Sequence, residues 1–173
     1  MITLEQLRAV MPRLPVEDAR KYLPYLNEAM AEAEINTPQR MQMFLAQLAH
    51  ESAELRYFEE LSSGAAYEGR KDLGNTRKGD GMRYKGRGPI QLTGRANYRA
   101  AGKALGLDLE GDPELAADYS VGFRIAAWFW KTRRLNSIAD TGNFELVTRK
   151  INGGLNGQPH RIEYWKRAQQ VIK

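Results

Sequence analysis

Thr37-Pro38-Gln39-Arg40-Met41-Gln42-Met43-Phe44-Leu45-Ala46-Gln47-Leu48-Ala49-His50-Glu51-Ser52 is the stretch that decides the fold. Met41, Phe44, Leu45, Leu48 and Ala49 recur at i, i+3, i+4, i+7 and i+8, the spacing of one helical face. Thr37 stands where an N-cap belongs, and Pro38 occupies the first helical position, where its missing N–H is no loss. No other segment has so strong a period, and the helix is expected to be central.

Helical signals continue on both sides. Upstream, Thr3 with Gln6 fits a capping box before Leu7, Val10 and Met11, and a second helix is expected from about Leu23 to Ile35, with Leu26, Met30 and Ala33 on one face. Downstream the pattern breaks. From about Glu60 to Gly88 the chain holds Gly64, Gly69, Gly74, Gly79, Gly81, Gly86 and Gly88 without helical spacing, which reads as a long irregular lobe or a short β-hairpin. A loop of that length inside a compact domain points to function. Helices then resume. Thr93 is the expected cap of one reaching about Leu105, Asp112-Pro113 starts a short one ending near Asp118, and Ser120 caps an apolar one through Val121, Phe123, Ile125, Ala126, Trp128 and Phe129. Two more run from about Asn143 to Ile151 and from Pro159 to Ile172. The expected architecture is a mainly α single domain over residues 1–173, with a small irregular or β-hairpin lobe.

The 173 residues are enough to bury a core without metal or disulfide support. Cysteine is absent, which excludes a disulfide scaffold, a thiol nucleophile and cysteine-ligated zinc. Only His50 and His160 exist, with no His-Glu-x-x-His pattern, so no catalytic metal or other cofactor is expected. The net charge of +5 favours an anionic partner, but the basic residues are spread along the whole chain. No apolar run reaches the roughly 20 residues that span a bilayer, and no secretory leader precedes Pro15.

Glu51 is the first candidate for chemistry. At about 100° per residue it lies about 70° from the centre of the apolar stripe, near the helix C-terminus. Partial desolvation and the negative end of the helix dipole both disfavour its ionised form, the condition a general acid needs. The alternative is an ordinary boundary glutamate, solvated or paired with Arg56. Glycoside hydrolysis needs a second carboxylate, and Glu54, Glu59, Glu60, Glu68 and Asp72 are available. In one continuous helix Glu60 would point away from Glu51, so a partnership requires the helix to break between them. Tyr84-Lys85-Gly86-Arg87-Gly88-Pro89-Ile90-Gln91-Leu92-Thr93-Gly94-Arg95-Ala96-Asn97-Tyr98 adds glycines for close backbone approach, with Gln91, Thr93 and Asn97 as neutral hydrogen-bonding groups suited to a sugar. A phosphate loop competes for this segment but lacks its Gly-Lys-Ser/Thr ending. A plain glycine turn into a capped helix also fits.

Phe44 to Ser52 with its His-Glu-Ser ending, Glu60, the Gly-Arg-Gly-Pro-Ile-Gln-Leu-Thr-Gly core of Tyr84 to Tyr98, Asn152-Gly153-Gly154 and Arg161 together resemble glycoside hydrolase family 19. Tyr67 to Asn75 and Ala126 to Lys131 bring the chain closer to the lysozyme-like endolysins of bacteriophages and prophages than to plant chitinases. The resemblance implies Glu51 as general acid and Glu60 as the base of an inverting mechanism. It implies Thr93 as the residue that holds the water, Tyr84, Gln91, Asn97 and Asn152 as substrate contacts, and Arg161 as electrostatic support for the acid. Many chitinases carry a glutamate four residues after the motif asparagine; here that residue is Asn156, so Arg161 is expected to pair differently.

The implied function is a peptidoglycan-degrading muramidase cutting between N-acetylmuramic acid and N-acetylglucosamine. A chitinase and a non-catalytic wall-binding module are the rivals. The expected partners are peptidoglycan glycan strands, with no nucleic acid and no stable membrane anchor. The expected state is a monomer held in the bacterial cytoplasm until a holin-type partner opens the membrane. Trp128, Trp130 and Trp165 read as core, and His50 as a local hydrogen-bonding partner. Lys71, Arg77, Lys78, Arg83, Lys85 and Arg87 either capture anionic polymer or solvate the lobe.

Overall fold

The computed structural model describes residues 1–173. Nine α-helices follow in order: α1 Leu4–Val10, α2 Val16–Glu32, α3 Pro38–Ser52, α4 Asp80–Arg83, α5 Arg95–Leu105, α6 Tyr119–Thr132, α7 Leu135–Asp140, α8 Phe144–Asn152 and α9 Gln158–Val171. Short 3₁₀ turns cover Ala65–Tyr67, Lys71–Leu73 and Pro113–Ala117. Extended pairing is limited to isolated bridges of Arg87 with Glu59 and Leu92, so the irregular lobe holds no hairpin. No helix is long and apolar enough to cross a membrane. The chain divides into two compact units, Met1–Arg56 with Ala127–Lys173, and Tyr57–Ala126.

The first unit is built on α3. Thr37 Oγ1 accepts from the Arg40 N–H at its start, and α9 packs along it, with α1, α7 and α8 also touching it. The apolar stripe understates its burial, because every residue from Met41 to Ala49 is buried, Gln42 and Gln47 included. Both glutamines are satisfied. Gln42 Nε2 donates to the Ile172 carbonyl, and Gln47 Nε2 donates to Thr148 Oγ1 at 2.9 Å. Phe44 meets the edge of Trp130 at 5.4 Å between centroids. Burial of a side chain such as Phe44, Leu45 or Leu48 stabilises the unit by about 1.5–3 kcal/mol each.

α3 stops in an unusual way. Ala53, Glu54 and Leu55 all have left-handed φ values, 52°, 61° and 64°, a conformation that costs an L-residue about 1–2 kcal/mol. Local bonds hold it. Ser52 Oγ donates to the Leu48 carbonyl and accepts from the Leu55 N–H. The Glu54 carboxylate, 3 % exposed, accepts from the N–H and Nε of Arg13 and from the Tyr164 hydroxyl. The helix therefore breaks directly after Ser52.

The second unit uses polar side-chain bonds, some of them buried, to hold its glycine-rich segment. Asn75, fully buried, donates to the Tyr67 carbonyl and accepts from the Arg95 N–H, so it caps α5 from twenty residues away. The Glu68 carboxylate accepts from the N–H groups of Gly79 and Gly81 at 2.8 Å each. Asp80 receives a two-pronged contact from Arg95, and Arg95 also reaches Glu110, which Arg99 grips from its other side. α5 begins at Arg95 behind Gly94, so Thr93 is not its cap. α6 begins at Tyr119, where the Asp118 carboxylate accepts from the N–H and hydroxyl of Ser120; the capping group is thus Asp118 rather than Ser120.

The Arg99 and Arg95 guanidinium groups pull the Glu110 carboxyl from 4.5 down to about 2. A folded value below the unfolded one contributes stability that is present above about pH 4.5 and lost as the pH falls toward 2. Glu110→Gln is expected to lower the melting temperature clearly at pH 7, with most of that difference gone at pH 2. Equal losses at both pH values, read from thermal melts, would show that the contact is steric rather than ionic.

Candidate active site

Each unit holds one of the two glutamates in its own surroundings. In the first unit Glu51 lies in the last turn of α3, with 26 % of its side chain exposed, at the border that the helical spacing predicts. Its Oε1 is 2.7 Å from Nη1 of Arg161 on α9. Arg161 is among the most buried side chains in the protein, at 1 % exposure. Its Nη1 also donates to Gln47 Oε1, and its Nε donates to the Asn156 carbonyl at 3.0 Å. The different pairing expected from Asn156 is thus a main-chain contact. The Arg161 guanidinium is a partner of the Glu51 carboxylate that helical spacing alone does not reach. Asn152 ends α8 and is exposed, with its Oδ1 accepting from the Asn156 N–H at 3.3 Å.

In the second unit Glu60 is half-buried. Its two oxygens accept from neutral donors, Oε1 from the Gly86 N–H at 2.7 Å and Oε2 from the Tyr67 hydroxyl at 3.1 Å. Burial raises the Tyr67 phenol above its ordinary value, and the contact with Glu60 adds to the effect, so Tyr67 remains a donor through neutral pH. Around Gly86 the surroundings converge. A β-carbon there would lie 2.7 Å from Gln91 Oε1, 3.3 Å from Thr93 Oγ1 and 3.4 Å from Glu60 Cδ. Gln91 is placed by a left-handed backbone, φ 58°, and its Nε2 donates to the Gly88 carbonyl. The Thr93 hydroxyl donates to the Gln91 carbonyl, which leaves its oxygen lone pairs as acceptors. Asn97 is exposed, and its amide donates to the Thr93 carbonyl.

The other acidic candidates are committed elsewhere. Glu54 holds the left-handed turn, Glu68 ties the glycine loop, and Asp72 pairs with Arg70. Glu59 contacts Arg87 and Lys85, which separates it from its neighbour Glu60. Tyr84 does not meet the expectation of a sugar contact. It is 1 % exposed, its ring packs edge-on to Tyr98, and its hydroxyl donates to the Glu110 carbonyl. Three of the six lobe cations are also structural: Arg83 donates to the Glu110 and Gly111 carbonyls, Lys85 to those of Glu60 and Ser62, and Arg87 to that of Arg83. The sequence marks Gly86 for close backbone approach and Tyr67 only as the start of a longer segment; neither pattern reveals their bonds to Glu60.

A helical protein with one glutamate on a buried guanidinium and another on neutral donors holds two carboxylates, the residue type that glycoside hydrolysis uses. The family model described as Chitinase class I matches residues 32–142, and the chain belongs to glycoside hydrolase family 19. A family 19 domain-containing protein of Haemophilus influenzae is 40% identical over 107 residues, covering 62% of this chain and 52% of that relative. The acidic endochitinase SP2 of Beta vulgaris is 37% identical over 134 residues, covering 72% and 46%. The chain spans about half the length of these curated relatives. Among solved structures, a bacterial family 19 chitinase superposes with a TM-score of 0.80 at 26% identity, covering 99% of this chain and 94% of the other. Chitinase C from Streptomyces griseus gives 0.79 at 25% identity, covering 99% and 76%.

Gly86→Ala would push Gln91 and crowd Glu60 and Thr93. It is expected to slow glycan hydrolysis by on the order of 10²-fold, measured as reducing ends released, with an unchanged circular dichroism spectrum. Tyr67→Phe removes one donor to Glu60 and is expected to lower kcat with little change in KM; a reduction confined to KM would place Tyr67 in substrate binding instead.

Proposed function

We propose that the chain hydrolyses the β-1,4 bond between N-acetylmuramic acid and N-acetylglucosamine in peptidoglycan, with inversion at the anomeric carbon. The observation behind this reading is the convergence of Glu60, Thr93 and Gln91 on the bare α-carbon of Gly86. In it, Glu51 protonates the departing glycosidic oxygen, and the adjacent Arg161 guanidinium stabilises the carboxylate left behind. Glu60 takes a proton from the attacking water, and the free lone pairs of Thr93 Oγ1 accept that water's second hydrogen. Gln91, Asn97 and Asn152 offer neutral groups to hydroxyl and acetamido substituents. Tyr84 is left out, since its ring is buried and its hydroxyl committed.

Peptidoglycan is preferred over chitin on one local ground. The segment Tyr67–Asn75, which resembles the lysozyme-like members of the family, is the one that braces Glu60: Tyr67 donates to its carboxylate and Asn75 holds the Tyr67 carbonyl. Chitin remains the second reading, favoured by relatives that are themselves chitinases and endochitinases. Digestion of purified peptidoglycan and of chitin in parallel, with products identified by mass spectrometry, separates the two. Disaccharides with reducing N-acetylmuramic acid are expected, and release of only N-acetylglucosamine oligomers would replace the first reading by the second. Glu51→Gln, which preserves shape and removes the proton, is expected to reduce turnover by about 10²–10⁴-fold. A fully active Glu51→Gln protein would remove the acid from the mechanism, and a product of retained anomeric configuration by NMR would exclude inversion.

A further inference from the structure

His50 and His160 stand 110 residues apart in sequence and are the only histidines in a chain that has no cysteine. Their rings nevertheless meet, with Nδ1 of one 2.9 Å from Nδ1 of the other. His50 is on the last turn of α3 and His160 on the first turn of α9, so the contact joins two helices. It lies one residue along each helix from Glu51 and Arg161, which form their own pair across the same crossing. Neither imidazole takes part in the proposed hydrolysis.

We propose that His50 and His160 form a chelating site for a divalent late transition-metal ion, zinc or copper, bound through the two Nδ1 atoms. Bond lengths near 2.0 Å put cis nitrogens about 2.8 Å apart on a tetragonal copper ion and about 3.3 Å apart on a tetrahedral zinc ion. The observed 2.9 Å lies between those values. Conversion from the hydrogen-bonded pair needs the rings to turn so that both lone pairs aim at one point beside the N–N line. His160 is exposed at the start of its helix. His50 is fixed from the other side by Gly157, where a β-carbon would lie 2.4 Å from its Cε1, and the His160 ring rests edge-on against Tyr164.

The proton balance is simple. In the neutral pair one Nδ1 carries the shared proton and the other accepts it. Metal binding moves that proton to Nε2 of the same ring, leaving two neutral imidazoles as ligands and water in the remaining positions. Bound metal would bridge α3 and α9 and stabilise the folded chain by mass action.

Zinc sulfate titrated into the whole chain in a non-chelating buffer at pH 7.5 tests the site by calorimetry, and thermal melts with and without zinc supply a second readout. One equivalent of heat-releasing binding and a raised melting temperature are expected. His160→Gln is expected to weaken binding at least about tenfold, the effect that even outer-shell changes reach, and to abolish the zinc-dependent rise. Copper loading should give an electron paramagnetic spectrum with coupling to two nitrogens. Absence of stoichiometric binding, or binding unchanged in His160→Gln, would overturn the proposal. Both readouts are independent of glycan hydrolysis, so a failed hydrolase assignment leaves this test intact.

Discussion

A buried guanidinium organises the first unit. Arg161 is removed from solvent almost completely, and a cation so placed is tolerable only with its donors occupied and its charge matched. Gln47, Glu51 and the Asn156 carbonyl meet that demand from α3 and from the turn before α9. Loss of any one partner leaves a charge or a strong donor stranded in the interior. The position of Glu51 therefore follows from the solvation needs of Arg161 as much as from the reach of its own side chain. The stability of the unit and the placement of Glu51 draw on the same contact.

The second unit solves a different problem. Its glycine-rich segment has little apolar surface to bury, and side-chain bonds hold that segment beside a core that includes Tyr98, Leu105 and Phe123. Asn75 and Asp80, both buried, each tie distant backbone or a distant arginine. Such bonds are worth about 1 kcal/mol each in net terms, but a lost partner costs more, because the remaining buried group goes unsatisfied. The loop is thus specified by polar pairing, and the residues around Glu60 inherit that order.

The legible parts of the fold were those governed by neighbours in sequence. Thr37-Pro38 marked the start of α3, Thr3 with Gln6 the start of α1, and Asn143 the start of α8, since each cap acts within three residues. α2 runs Val16–Glu32 through Pro24, so it starts about two turns before Leu23 and ends short of Ile35, bounds that its apolar face does not mark. The six residues of α7 are too short to display a period. Thr93 and Ser120 look like caps locally, but Asn75 and Asp118 satisfy those helix starts. The end of α3 carried no glycine to announce it, because a buried glutamate and a serine hold its left-handed turn. Glu51 was readable from helical geometry. The partners of Glu60 were not, since Tyr67 and Gly86 reach it only after the lobe has folded, and the meeting of His50 with His160 has no signature in either flanking sequence.

One consequence follows from the donor that Gly86 gives to Glu60. That donor is a peptide N–H, which every residue except proline possesses. Genetic drift at position 86 therefore cannot delete the bond by changing chemistry; it can act only through the bulk it adds to the space beside Gln91 and Thr93. Relatives with altered preferences would be expected to vary the surrounding side chains while leaving this main-chain anchor in place, an arrangement that lets the surroundings evolve separately from the orientation of Glu60.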